Sequence, residues 1–206
     1  MKLLGLLIFL EACALDGARQ PGVALEIVGL SSQKNPELAQ QAAGNRALAR
    51  AAWVAKPDAL RFTFTRTASG DALKLFAPES PLTGLSPKVE RQRPFGARAV
   101  VTVIRTADEQ RALSARRAVH ESASAQGLDL STAQARADRT VLSRAIAKSA
   151  ARDATTVTGT LAIVNYTVTS VGQQVTVTAD VAVSFGLPAS APAATFDIER
   201  EEVESE

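Results

Sequence analysis

Aromatic side chains are scarce in this chain: 206 residues hold seven Phe, one Trp and one Tyr, 4% of the total. Hydrophobic residues still reach 46%, much of it alanine, so a core must be assembled from Val, Leu, Ile and Ala. Histidine and cysteine are scarcer again, with His120 and Cys13 the single examples. One of each, far apart, cannot supply the clustered donors of a zinc site, and a lone thiol cannot close an internal disulfide. A serine hydrolase would have only His120 as its base, and no G-x-S-x-G elbow is present. The Ser31-Ser32 pair falls in a polar link without the turn that would activate a nucleophile. Glycine-rich phosphate loops are missing too, since Gly84, Gly96, Gly127, Gly159 and Gly172 stand singly. These absences point to a protein that is not an enzyme, with no catalytic residue, cofactor or metal.

What the chain does have begins at its N-terminus. Lys2 is followed by an eight-residue apolar run, Leu3 to Leu10, and then Glu11-Ala12-Cys13-Ala14. A positive end, a short apolar stretch and small residues at a cleavage point are the parts of a secretory signal; the run is too short to span a bilayer, which takes about 20 residues. Two processing schemes compete. Leu10-Glu11-Ala12-Cys13 resembles the lipobox of bacterial lipoproteins, in which Cys13 would be lipidated, whereas Ala12-Cys13-Ala14 fits the A-x-A rule and would release a chain starting at Leu15. Glu11 counts against the lipobox. The unpaired thiol counts for it, because an exported protein seldom keeps one without a use. Either scheme places the protein outside the cytoplasm, in the periplasm or anchored in the bacterial envelope.

Charge is uneven. The formal net is +2, and the last ten residues contribute −5, which leaves the body at +7. That is enough to attract an anionic surface. It is not a nucleic-acid binder's stripe, because the arginines are scattered without interleaved aromatics.

Hydropathy periods outline the fold. VALEIVGL, residues 23 to 30, and LRFTFTR, residues 60 to 66, alternate as half-buried strands, the second with Leu60, Phe62 and Phe64 inward. Between them, Pro36 suits a first helical turn and Pro57 a stop, so a helix is expected from Glu37 to about Ala55, burying Leu38, Ala42, Leu48, Ala52 and Ala55, with Trp53 at its edge. ALKLFA, residues 72 to 77, offers a brief strand. Residues 78 to 96 carry four prolines and mark a connection between a β-α-β segment, 15 to 77, and a second segment, 97 to 186. ARAVVTVIR, residues 97 to 105, is apolar on both faces, as a central strand would be. Thr106 with Glu109 forms a capping box, from which a helix is expected to run to Gly127 with Ala112, Leu113, Ala115, Val119 and Ala123 inward and His120 in its middle. Ser131 with Gln134 suggests a second box, opening a helix whose polar side carries Arg136, Arg139, Arg144, Lys148 and Arg152. Last come two alternating strands, 156 to 170 and 173 to 185, joined at Val171-Gly172. The apolar phase of the first shifts near Ile163, which predicts a β-bulge. A Pro/Ala spacer and the acidic tail, 187 to 206, complete the chain. The order β-α-β, connection, β-α-α-β-β predicts an α+β fold: helices on one face of a largely antiparallel twisted sheet, ending in a long β-hairpin and forming one continuous layered unit.

The segment RADRTVLSRAIAKSAARD, followed by TVTGTLAIVNYTVTSVGQQVTVTADVAVSF, resembles the N-terminal domain of flagellar assembly protein T over roughly residues 131 to 185. The possible lipid cysteine adds a resemblance to small bacterial envelope lipoproteins, and KPDALRFTF, residues 56 to 64, resembles the start of SIMPL-type periplasmic proteins. These likenesses imply a structural or assembly role in the envelope and no catalytic residues. The expected partner is another envelope protein or an anionic surface, with a lipid anchor at Cys13 as the route to the membrane. The alternative is a soluble periplasmic module that binds a small ligand or acidic polymer through Arg139, Arg144 and Lys148.

Overall fold

The computed structural model describes residues 22–58, 60–68, 70–76, 84–92, 96–127 and 129–186. Cys13 with the apolar run, residues 78–83 and 93–95 of the Pro-rich connection and the acidic tail lie outside the described residues. The fold is α+β, and the described residues build two antiparallel sheets and three helices. Strands β1 (Val23–Ser32), β5 (Gly96–Arg105) and β4 (Lys88–Gln92) form one sheet in the order β1-β5-β4; β3 (Gly70–Phe76), β2 (Leu60–Thr67), β7 (Thr156–Val171), β8 (Gln174–Phe185) and β6 (Ala118–Gln126) form the other, in the order β3-β2-β7-β8-β6. The proline-rich connection therefore contains a strand, β4, on the sheet edge where proline is tolerated nearby. Segments 15–77 and 97–186 interleave: β1 pairs with β5, and β2 with β7. Neither half has a sheet of its own.

Helix α1 (Pro36–Ala55) starts where Asn35, in an extended conformation, accepts hydrogen bonds from the Glu37 and Leu38 amides. It packs on β1 and β5 through Ala39, Ala43, Ala47 and Ala51, a row at spacing four. This is not the row expected from sequence. Leu38 is 52% exposed, and Trp53, expected at an edge, is buried. The reason is close approach: a methyl built on Gly29 of β1 would lie 2.3 Å from the Ala43 carbonyl oxygen and 2.4 Å from the Ala47 nitrogen. Only small residues allow the helix axis so near the sheet.

Helix α2 (Ala107–Ser114) opens with the expected capping box, Thr106 and Glu109 bonding reciprocally. It then ends after eight residues, and 118–126 is a strand, which corrects the long helix expected to Gly127. In AVHESASAQ the inward row is Val119, Glu121, Ala123 and Ala125, and the outward row Ala118, His120, Ser122, Ser124 and Gln126. Alanine, serine and an inward Glu121 give almost no hydropathy contrast, so pairing with β8 decides the conformation. The second segment is thus β-α-β-α-β-β.

Helix α3 (Leu130–Ser149) is capped by Asp129, whose carboxylate accepts from the Ser131 and Thr132 amides, rather than by Ser131. It packs on β6 and β8. Strands β7 and β8 form the expected hairpin, turning at Gly172 with φ +61°, and the register shifts between Ile163 and Asn165 where the bulge was predicted. One hydrophobic cluster runs through both sheets, α1 and α3.

Arginines from strand ends close both long helices. Arg66 of β2 donates to the carbonyl oxygens of Ala147, Ala151 and Arg152 at the end of α3. Arg105 of β5 donates to Val54 O at the end of α1 and to Ile163 O and Val164 O at the bulge. Each supplies donors to carbonyls at a helix end, Arg105 also to the bulge, and each places a cation at the negative pole of a helix dipole. Burial lowers the Arg105 pKa, with Glu109 nearby opposing that effect.

Candidate functional site

Two polar constellations stand out, one sealed and one open. In the interior, Arg50 of α1 donates to Asp138 Oδ2 of α3 through Nε at 3.0 Å and Nη2 at 2.9 Å. Both side chains are buried, at 0% and 1% exposure. The Tyr166 hydroxyl donates to Asp138 Oδ1 at 2.7 Å and accepts from Gln134 Nε2 at 3.2 Å. Gln134 also bridges the free edge of β1, accepting from the Leu30 amide at 2.9 Å and donating to Val28 O at 2.8 Å. Its amide occupies the place of a neighbouring strand. The Arg50 guanidinium lies 5.0 Å from the Trp53 ring centroid. Burial, followed by the Asp138 charge, holds the Tyr166 phenol well above its ordinary range. The gap lined by Trp53, Asp138, Leu142, Ile163 and Tyr166 has no room for a water molecule. The network joins α1, α3, β1 and β7, and its donors and acceptors face each other.

The open constellation lies on the face of the five-stranded sheet away from α3. Successive rows across β6, β8 and β7 are His120–Asp180–Asn165, Ser122–Thr178–Thr167 and Ser124–Thr176–Thr169. Asp180 takes His120 Nδ1 on Oδ1 and Asn165 Nδ2 on Oδ2, each at 2.7 Å. Ser122 and Thr178 hydroxyls pair at 2.9 Å, Ser124 and Thr176 at 2.7 Å, and Thr167 donates to Thr178 O at 3.4 Å. The His120 side chain is 70% exposed. Burial pushes the Asp180 carboxyl up, but hydrogen bonds from Asn165 and His120, with the histidine's charge, outweigh it and leave the carboxyl below its ordinary value. The bulge creates this row: in unbroken register Val164 would face Asp180, and the shift brings Asn165 there instead. Beside these rows Leu113 of α2 rests on Ala162, Val164 and Ala182.

No family model, curated protein or solved structure matches the chain.

The cations expected to bind a partner are placed as follows. Arg139 is half-buried on α3. Arg144 is exposed and donates to Ser122 O of β6 at 3.2 Å, and Lys148 Nζ lies 2.5 Å from Glu121 Oε1 on the same strand. Arg136 adds a bond to Gln126 O. These side chains cover the outer edge of β6, a strand that would otherwise offer unpaired backbone groups. His120, expected in a helix, lies on β6, and Ser31 and Ser32 end β1 rather than forming a link, with Ser32 Oγ accepting from the Leu130 amide. Asp180, Asn165, Arg50 and Asp138 were not singled out from sequence. The available signal was Asp180 continuing the outward row of Thr176 and Thr178, a hint that needs the strand register to be read. Among the described residues no group of three or more His, Cys, Asp or Glu side chains could hold a metal ion, and no helix is long and apolar enough to cross a membrane.

Proposed function

We propose that the chain is a non-catalytic interaction module exported to the bacterial envelope, working through the open face of its five-stranded sheet. The supporting observation is the contrast between the two constellations: Arg50, Asp138, Tyr166 and Gln134 bond to one another beside a gap too small for water, whereas the polar rows of β6, β8 and β7 lie on an uncovered face. That open face is where we place recognition. Export rests on the N-terminal sequence, and Cys13 lipidation is the form of that reading in which the thiol has a use. The basic side of α3 gives weaker support to an anionic partner, because Arg144 and Lys148 already engage β6.

Fractionation into cytoplasm, periplasm and membrane tests the address, and cytoplasmic residence would refute it. Palmitate labelling lost in Cys13→Ser identifies the anchored form; no label on the native chain identifies the released one. A photo-crosslinker at Thr176, on the open face, should give adducts with envelope material in cells. A crosslinker at exposed Lys34 serves as the comparison, and equal yield at both sites would refute the role of the face.

A further inference from the structure

The open face also restricts what can sit on it, and the inference drawn here rests on the surface reading above. We infer that the rows on β6, β8 and β7 bind an uncharged glycan chain. Charge is the first argument. Within the three rows the titratable side chains are His120 and Asp180, which bond to each other, and the other seven positions are Ser, Thr and Asn. These nine positions offer no stripe of cations to a nucleic acid or an acidic lipid, and no Phe, Tyr or Trp ring on which a base would stack.

Size is the second argument. Three strands and five residue positions span about 10 Å by about 14 Å. A standard protein interface covers roughly 800 Å² per partner, centred on buried aromatic or large apolar anchors. The rows are several times smaller and contain no such anchor.

Hydrogen-bond character is the third. A hydroxyl both donates and accepts, so a polyol is matched by groups that do the same. Ser122, Ser124, Thr167, Thr169, Thr176 and Thr178 have that property. Asn165 spends an N–H on Asp180 and keeps its amide oxygen as an acceptor, while His120 is oriented through Nδ1 and keeps Nε2 on a well-exposed ring. Strand repeats of about 4.8 Å across and about 6.8 Å along place these groups in a regular grid. Because backbone pairing on both sides of β8 holds the grid, little ordering entropy is lost on binding.

Co-sedimentation of the purified chain with cellulose, chitin and protein-free peptidoglycan sacculi tests the inference. Binding to at least one of them should persist between about 0.1 and 1 M salt, because cellulose, chitin and the glycan strands of the sacculi are uncharged, and screening would remove only contacts to the ionised stem peptides of the sacculi. Thr178→Lys, which puts a charge at the centre of the grid, should weaken binding at least tenfold. Lys34→Ala should not change it, and Trp53 emission verifies that both variants fold. Failure of the native chain to sediment with all three, binding abolished by salt, or unchanged binding by Thr178→Lys would each overturn the inference. A Thr176 crosslink to a protein, with no sedimentation, would reject the glycan and leave the surface module standing. A cytoplasmic address would reject the envelope reading while glycan binding by the purified chain stayed measurable.

Discussion

Replacing Asp138 by alanine should cost about 4 kcal/mol of stability, within the 3–5 kcal/mol typical of breaking a buried ion pair. The substitution keeps a good helix former in α3, so the loss comes from what Asp138 holds. The Arg50 guanidinium, at 0% exposure, would lose its bonds at 3.0 and 2.9 Å, and the Tyr166 hydroxyl would lose its acceptor at 2.7 Å. With no room for water beside Asp138, solvent cannot replace the missing oxygens without opening the core. Against a typical total of about 5–15 kcal/mol, this is a large fraction. For a chain of this size each kcal/mol moves Tm by about 2–4 °C, so a fall of roughly 8–16 °C is expected. Denaturant unfolding followed by emission of Trp53, the single tryptophan, would measure it. The double variant Arg50→Met with Asp138→Leu removes both charges together and should recover most of the loss, since apolar replacement of a whole buried pair is often neutral. An Asp138→Ala cost below about 1 kcal/mol, or a double variant no better than the single, would refute the account of a desolvated charge left without its partner.

Gly29→Ala should lower stability by about 1–3 kcal/mol, because its methyl meets the backbone of α1 rather than a movable side chain; thermal unfolding would check it. Tyr166 gives an alkaline signature. Its raised folded-state pKa means that it contributes stability below about pH 10 and loses that contribution as pH climbs toward the folded value. In Tyr166→Phe this part of the alkaline decline should disappear from a stability-versus-pH series. At Asp180, removing a donor should raise the carboxyl pKa, since Asn165→Ala leaves burial less opposed; NMR titration of the Asp180 side chain would show a higher midpoint than in the native chain.

How much could be read in advance depended on contrast between neighbouring residues. Leu60, Phe62 and Phe64 alternate with Arg and Thr, and Val175 to Phe185 alternate with polar residues, so β2 and β8 were evident, as was the bulge in β7 from its phase shift. In β6 the alternation is between alanine and serine around Glu121, and the capping box before it suggested a longer helix than the eight residues that form. The α1 face was misread for a related reason. Leucine marks a core by size, but the partner here is Gly29, and contact at that distance requires alanine. The polar constellations depend on register and on residues brought together from distant segments: Arg50 with Asp138, and Asn165 with Asp180 across a bulge. Spacing along one chain carries little information about such pairs. The abundance of arginine, read as a surface property, is partly internal, with Arg50 and Arg105 buried and Arg66 closing a helix.

The strand order β3-β2-β7-β8-β6 also determines when the molecule can become complete. Strand β8, the last element among the described residues, is the bridge between β6 and the rest of its sheet. During synthesis or transport, β6 and the α3 side chains that cover its edge must wait for residues 174 to 185 before the sheet can be joined. Chains stopped before Gln174 would leave β6 separated from β3-β2-β7, each with an unpaired edge, and pairing across long sequence separations is slow. The sheet is joined last through β8, and this late-forming strand is also the one that carries the centre of the hydroxyl grid.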